Sequence, residues 1–287
     1  MNRSIRFLVC AALISLVVCG VAQTALAAKK PVNIVYVEWD CATASSYLVK
    51  AALEEKLGVS VELMSVSAAA MWAAVASGDA DATVTAWLPV THASYARKLE
   101  GKVEDLGPLV SGARLGWAVP EYVTVTSMKD LGNHAKQFNN TVTGIDAGAG
   151  IMELSEKAMK TYGLNAMELQ DGSGATMAAA LGDAIRRNEW IVVTAWSPHW
   201  MFGRWKLRYL DDPEKVLGGS ESINTIVRPG LKNDMPEVYA FLDKFRYEDI
   251  GQLQTLMAWN QEKGADLLGN AKRFMKEYPE LVDSWFK

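Results

Sequence analysis

The chain has 287 residues, half of them hydrophobic and 22% charged. That is the make-up of an ordinary globular protein, long enough for one large domain or two medium ones. Its formal net charge of −4 argues against nucleic acid as a partner, which would require a basic face.

Residues 1–27 read as a cleavable signal peptide. Arg3 and Arg6 precede an apolar stretch from Phe7 to Val21, and Ala25-Leu26-Ala27 supplies a small-x-small cleavage pattern. Cys19 follows Leu16-Val17-Val18, but Val18 is bulkier than a lipoprotein box accepts. The expected product is soluble, begins near Ala28 and resides in the periplasm. Cleavage removes Cys10 and Cys19 and leaves Cys41 alone, so stability must come from the core and not from a disulfide. It also removes two arginines, which leaves 27 basic residues against 33 acidic, a balance of −6. No other stretch is long and apolar enough to span a bilayer.

Val32-Asn33-Ile34-Val35-Tyr36-Val37 predicts a first strand, with Glu38-Trp39-Asp40 at its carboxyl end. Ala42 to Leu57 is helical and stopped by Gly58. A second strand runs from Val59 to Val66, and a second helix from Ala68 to Ser77, stopped by Gly78. The next strand carries Ala82-Thr83-Val84 and ends at Trp87, because Pro89 lacks a ladder donor and restricts its predecessor. Thr91 to Leu99 forms a helix with His92 in its first turn. Leu115 to Pro120 is an extended connection, and Ser127 caps a helix that opens Met128-Lys129-Asp130-Leu131. Val142-Thr143-Gly144-Ile145-Asp146 is a strand feeding the glycine-rich turn Ala147-Gly148-Ala149-Gly150 into a further helix. Ile191-Val192-Val193 leads a strand to Trp196, and Ile223 to Val227 crosses back. From Pro236 to Lys287 the chain is mostly helical, including Glu237 to Lys244 and Ala265 to Glu277, and packs on the first lobe.

The two halves repeat one another. Thr85-Ala86-Trp87-Leu88-Pro89 recurs as Thr194-Ala195-Trp196-Ser197-Pro198. Upstream of each phrase the order is helix, glycine stop, strand, small-residue turn, helix, strand. The offset is 105 residues at Gly58/Gly163 and 109 at Trp87/Trp196, too long for a solenoid and suited to two similar α/β lobes. Each tryptophan then lies at a strand's carboxyl end, where open α/β sheets place their ligand crevice.

Catalytic patterns are missing. The chain has no Gly-x-Ser-x-Gly elbow, His-Glu-x-x-His, Cys-x-x-Cys or phosphate loop. Gly148-Ala149-Gly150 lacks the third glycine of a dinucleotide fingerprint, and His92, His134 and His199 have no Cys or acidic cluster beside them, so neither cofactor nor metal is expected. Tryptophan is abundant, ten in all, and Trp39, Trp87 and Trp196 share equivalent loop positions. Trp72 and Trp259 fall inside helices and are assigned to packing. Aromatic faces converging in a cleft hold a quaternary ammonium, which has no N–H to donate and is attracted to the negative face of each ring. The Gly-rich turn before a helix presents open N–H groups and the positive end of the helix dipole, which suit a carboxylate.

Glu38-Trp39-Asp40, Ala86 to His92, Gly144 to Met152 and Trp196 to Met201 resemble the glycine betaine/proline betaine binding proteins of ABC importers, in order and over nearly the whole mature chain. The resemblance implies an α/β, two-lobed type II periplasmic-binding-protein fold: two Rossmann-like lobes joined by two strand crossovers. Lobe 1 would comprise residues 28–117 and 225–287, and lobe 2 residues 118–224. It further implies that Trp39, Trp87 and Trp196 wall an ammonium cage, and that the N–H groups of Gly150 and Ile151 hold the ligand carboxylate with help from His92. Ala147 departs from the pattern, standing where many relatives carry proline. The expectation is a monomeric solute-binding protein, not an enzyme, that delivers its ligand to a membrane permease and its ATPase. Choline or carnitine as ligand, and a sensory module, are the alternatives.

Overall fold

The computed structural model describes residues 30–287. The signal-peptide reading of residues 1–27, with Cys10 and Cys19, lies outside the described residues.

Strand β1 (Val32–Tyr36) is followed by helix α1 (Asp40–Leu57), which ends where Gly58 adopts φ 61° and returns its N–H to Leu53 O. A left-handed residue there satisfies a carbonyl the helix would otherwise orphan, and glycine takes it without strain. Next come β2 (Val61–Ser65), α2 (Ala68–Ser77), β3 (Ala82–Leu88) and α3 (Ala93–Lys98). Strand β4 (Glu104–Pro120) is 17 residues long, so the expected connection at Leu115–Pro120 is its final third. A 3₁₀ helix at Met128–Phe138 leads to β5 (Thr141–Thr143), α4 (Gly150–Thr161), β6 (Glu168–Gln170), α5 (Gly174–Arg187) and β7 (Val193–Ser197). Short α6 (Met201–Arg204) and β8 (Leu207–Tyr209) precede β9 (Ser220–Val227). The chain ends in α7 (Leu231–Asp234), α8 (Pro236–Lys244), α9 (Ile250–Asn260), α10 (Leu267–Glu277) and α11 (Pro279–Ser284).

The repeat read from sequence reappears in the sheet. Its strand order is β2-β1-β3-β9-β4-β7-β5-β6, with β8 paired to β4. The trio β2-β1-β3 is parallel, and β6-β5-β7 mirrors it. Antiparallel β9 and β4 join the two trios into one sheet. Every residue of β3 before Leu88 is buried, Thr83 and Thr85 included, so the strand is covered on both faces. Helices α9 and α10 pack on α1, so the C-terminal helices cover the first trio.

Three local expectations need correction. Ser127 does not cap its helix: its hydroxyl lies 3.4 Å from Asp211 O, and the segment winds as 3₁₀. His92 is the N-cap residue of α3 and not a first-turn residue. The strand expected at Val142–Asp146 stops at Thr143: Gly144 N–H makes the last ladder bond, to Gln170 O, and Ile145 N–H goes to Met152 Sδ instead.

Candidate ligand-binding site

Parallel strands that end together leave a crevice beyond their carboxyl ends, and the chain fills it with aromatic rings. Trp87 and Trp196 are the penultimate residues of β3 and β7, one from each trio. The peptide bond before the following proline is cis in both copies. Trp39 sits just past β1 and opens α1 as its N-cap residue. All three line one small cavity, together with His92, Gly150, Ile151, Cys41, Thr91, Leu115, Ile145 and Ala149. The six residues named from sequence therefore meet at one place. Sequence reasoning missed Cys41, Thr91, Leu115, Ile145 and Ala149. Leu115 could have been found only by knowing that it pairs with Trp196 across β4 and β7.

His92 is wholly buried, and its Nδ1 accepts the backbone N–H of Trp87 at 3.1 Å. An accepting Nδ1 places the ring proton on Nε2. Burial lowers the pKa to about 3, so the ring is neutral. Its Nε2–H has no partner among the described residues. Trp72, read as a packing residue, lies edge-on to His92 at 5.9 Å and stacks on Tyr95 at 6.3 Å. It packs, and what it packs is a wall of the cavity. Opposite, α4 starts at Gly150 with Ala149 as N-cap and no capping side chain. The N–H groups of Gly150 and Ile151 are those that a helix start leaves without an intrahelical partner.

The two trios touch across this crevice. Trp39 Nε1–H donates to Asp146 Oδ1 at 3.1 Å, Tyr95 OH to Gly148 O at 3.0 Å, and Ser94 Oγ to Glu153 Oε2 at 3.1 Å. Gly150 approaches Thr91 so closely that a Cβ there would lie 2.2 Å from Thr91 O. Glu221, on β9, holds Thr91 from behind. It accepts the Thr91 N–H at 3.0 Å and the Thr91 hydroxyl at 2.9 Å. Burial raises its pKa despite those bonds.

The carboxylates Asp40 and Asp146 stand back from the cavity. Asp40 lies 3.3 Å from His199 Nε2 and accepts from Gln261 at 2.8 Å; burial raises its pKa. His199 is placed behind Trp196, edge-on at 4.5 Å, and does not line the cavity. The Cys41 thiol is pushed up to about 12, first by burial and then by the neighbouring Asp40, so it lines the cavity as a neutral thiol. Neither Asp40 nor Asp146 reaches the cavity wall. Among the described residues no group of three or more His, Cys, Asp or Glu could hold a metal, and no helix is long and apolar enough to cross a membrane.

A wall of indoles beside open N–H donors is built to hold a small solute bearing a diffuse cation and an anion, and comparison with known proteins points the same way. Residues 30–277 match the family described as the substrate binding domain of ABC-type glycine betaine transport systems. The glycine betaine/carnitine transport binding protein of Listeria monocytogenes is 43% identical over 159 residues, which are 55% of this chain and 51% of that one. The match thus spans about half the length of that curated relative. Among solved structures, lactococcal OpuAC in its closed-liganded conformation complexed with glycine betaine is 42% identical with a TM-score of 0.85, covering 90% of this chain and all of that one. ProX of Borrelia burgdorferi, a glycine betaine/L-proline-binding protein, is 38% identical with a TM-score of 0.86, covering 90% of this chain and 97% of that one. The chain belongs to the substrate-binding domains of ABC-type glycine betaine transport systems and has the type II periplasmic-binding-protein fold.

Proposed function

We propose that this protein captures a carboxylated quaternary ammonium, glycine betaine or proline betaine, outside the cytoplasm and delivers it to a membrane permease and its ATPase, performing no chemistry of its own. The observation that carries the reading is the cavity in which Trp39, Trp87 and Trp196 meet the open α4 start and the neutral Nε2–H of His92. The tryptophans take the trimethylammonium head. Gly150, Ile151 and His92 take the carboxylate. Residues 28–117 with 225–287 act as one lobe and 118–224 as the other, and the ligand bridges them. Residues 1–27 serve as the export signal, and the mature protein works as a monomer. The ligands named for the Listeria and lactococcal proteins support the assignment.

The magnitudes suffice. Three cation–π faces contribute about 1.5–6 kcal/mol, and each hydrogen bond to the charged carboxylate adds about 1.5–3 kcal/mol. After association costs, a micromolar Kd of about −8 kcal/mol is within reach. The cage alone would not get there.

The test is competitive titration of the purified protein with glycine betaine, proline betaine, carnitine and choline, repeated with His92→Ala. Choline places a hydroxyl where three donors await an anion, and should bind about 10- to 100-fold more weakly than glycine betaine. His92→Ala should narrow that ratio. Equal affinities, or a ratio that His92→Ala leaves unchanged, would overturn the carboxylate pocket, and tighter binding of choline would make choline the ligand.

A further inference from the structure

Of the carboxylates beside the crevice, Asp40 and Asp146 differ in what they touch. Asp40 accepts from Gln261 and lies 3.3 Å from His199 Nε2, and it does not line the cavity. Asp146, which opens the turn before α4, accepts the indole N–H of Trp39 at 3.1 Å. Trp39 belongs to the α1 start and Asp146 to the approach to α4, so this bond spans the crevice. The indole is buried while the carboxylate keeps partial access to solvent. Asp146 therefore meets the indole at its N–H edge and is not among the residues that line the cavity.

That placement has two physical consequences. First, an indole has one donor, and fixing it sets the plane of the ring. Trp39 also packs on His92, ring centroids 5.8 Å apart and tilted by 34°, so a loose indole would disturb the imidazole beside it. Second, an N–H that donates to a carboxylate pushes electron density into the ring. A cation is held by the negative potential of that face, so Asp146 strengthens the grip of Trp39 on an ammonium. A carboxylate lining the cavity would repel a betaine; one held at the N–H edge of the indole, outside the lining, acts on the ammonium through the ring.

We infer that Asp146 is a positioning residue for the ammonium cage: it fixes Trp39 across the crevice and enriches its face, and so sets the affinity for the quaternary cation. This rests on the ligand reading above and deepens it. The role differs from a structural tie between the trios, because its effect must pass through the Trp39 N–H.

A double-mutant cycle tests this directly. Glycine betaine is titrated into the wild-type protein, Asp146→Asn, Trp39→Phe and the double variant. Phenylalanine keeps a π face but has no donor. Asp146→Asn should weaken binding about fivefold in the wild-type background and less than twofold when residue 39 is phenylalanine. An equal loss in both backgrounds, or no loss in the first, would overturn the inference. The indole resonances of the ¹⁵N-labelled protein give an independent readout. The Trp39 signal is the one lost in Trp39→Phe, and in the bound protein it should lie downfield and move upfield in Asp146→Asn. The nine other indoles report that the fold is intact. A Trp39 signal that does not move in Asp146→Asn would also overturn the inference. If the wild-type protein bound no glycine betaine at all, the ligand reading would fall and this inference with it. If it binds while Asp146→Asn acts equally in both backgrounds, only this inference falls.

Discussion

Gly150→Ala is the substitution that separates closing from folding. Gly150 is the first residue of α4 and does not have a positive φ, so alanine suits its backbone and favours the helix by up to about 1 kcal/mol. The backbone N–H proposed to hold the carboxylate is retained. What changes is the crevice: the new Cβ would lie 2.2 Å from Thr91 O, 2.7 Å from its Cγ2 and 2.9 Å from its carbonyl carbon. Two of those atoms are backbone, and Glu221 pins Thr91 from behind, so no side-chain rotation relieves the clash. The two elements must separate by roughly 1 Å, and overpacking of that kind costs about 1–3 kcal/mol. In a protein that opens and closes, the open state does not bear that cost. Glycine betaine affinity should therefore fall about 5- to 150-fold, while the melting temperature of the unliganded protein stays level or rises. Calorimetric titration reads the affinity, and X-ray scattering at saturating ligand should give a larger radius of gyration than for the wild type. Gly148→Ala is the matched control, since a Cβ there meets nothing within 4 Å, and it should bind normally. If Gly150→Ala bound within twofold of the wild type, the contact with Thr91 would have no part in binding and the reasoning would fail.

Each of Trp39→Ala, Trp87→Ala and Trp196→Ala should weaken glycine betaine binding several-fold or more, with phenylalanine less harmful because a π face remains; titrations unchanged for all three alanine variants would remove the cage. Acid should destabilise the protein through His92 and His199, both held near pKa 3 by burial. Their contribution is complete above the unfolded value of 6.5 and is lost as pH falls from there toward 3. At pH 5 the loss is about 2 kcal/mol for each, partly offset by Asp40 and Glu221, whose raised pKa values favour the folded state as pH falls. Urea unfolding of the wild type at pH 7 and 5 should show the drop, and His199→Gln should shrink it; equal pH dependence in the two proteins would refute the assignment.

What could be read from sequence and what could not divides along chain separation. Gly58 and Gly78 stop their helices as read, because a left-handed cap is a local requirement. Trp87 and Trp196 could be placed because a strand, a Trp and a Pro within five residues fix where the ring emerges. Ser127 was misread as a cap because its real partner, Asp211 O, lies far along the chain. The same holds for Glu221 behind Thr91 and for the closeness of Gly150 to Thr91. Both depend on how β9 and β4 bring the trios together, and no local pattern encodes that pairing.

The position of β9 also makes the sheet depend on a segment near the end of the chain. Strand β3 lies between β1 and β9 in the sheet, and Ala82 pairs with Val227, 145 residues downstream. The β5-β6-β7 trio and the end of β4 find their partners within the stretch already made. Until β9 is in place, β3 and the first part of β4 are open edges of the kind that recruit other chains. β9 lies between them and pairs with both. A chain cut short before Ser220 would never receive it, and would carry two unpaired edges in place of one continuous sheet.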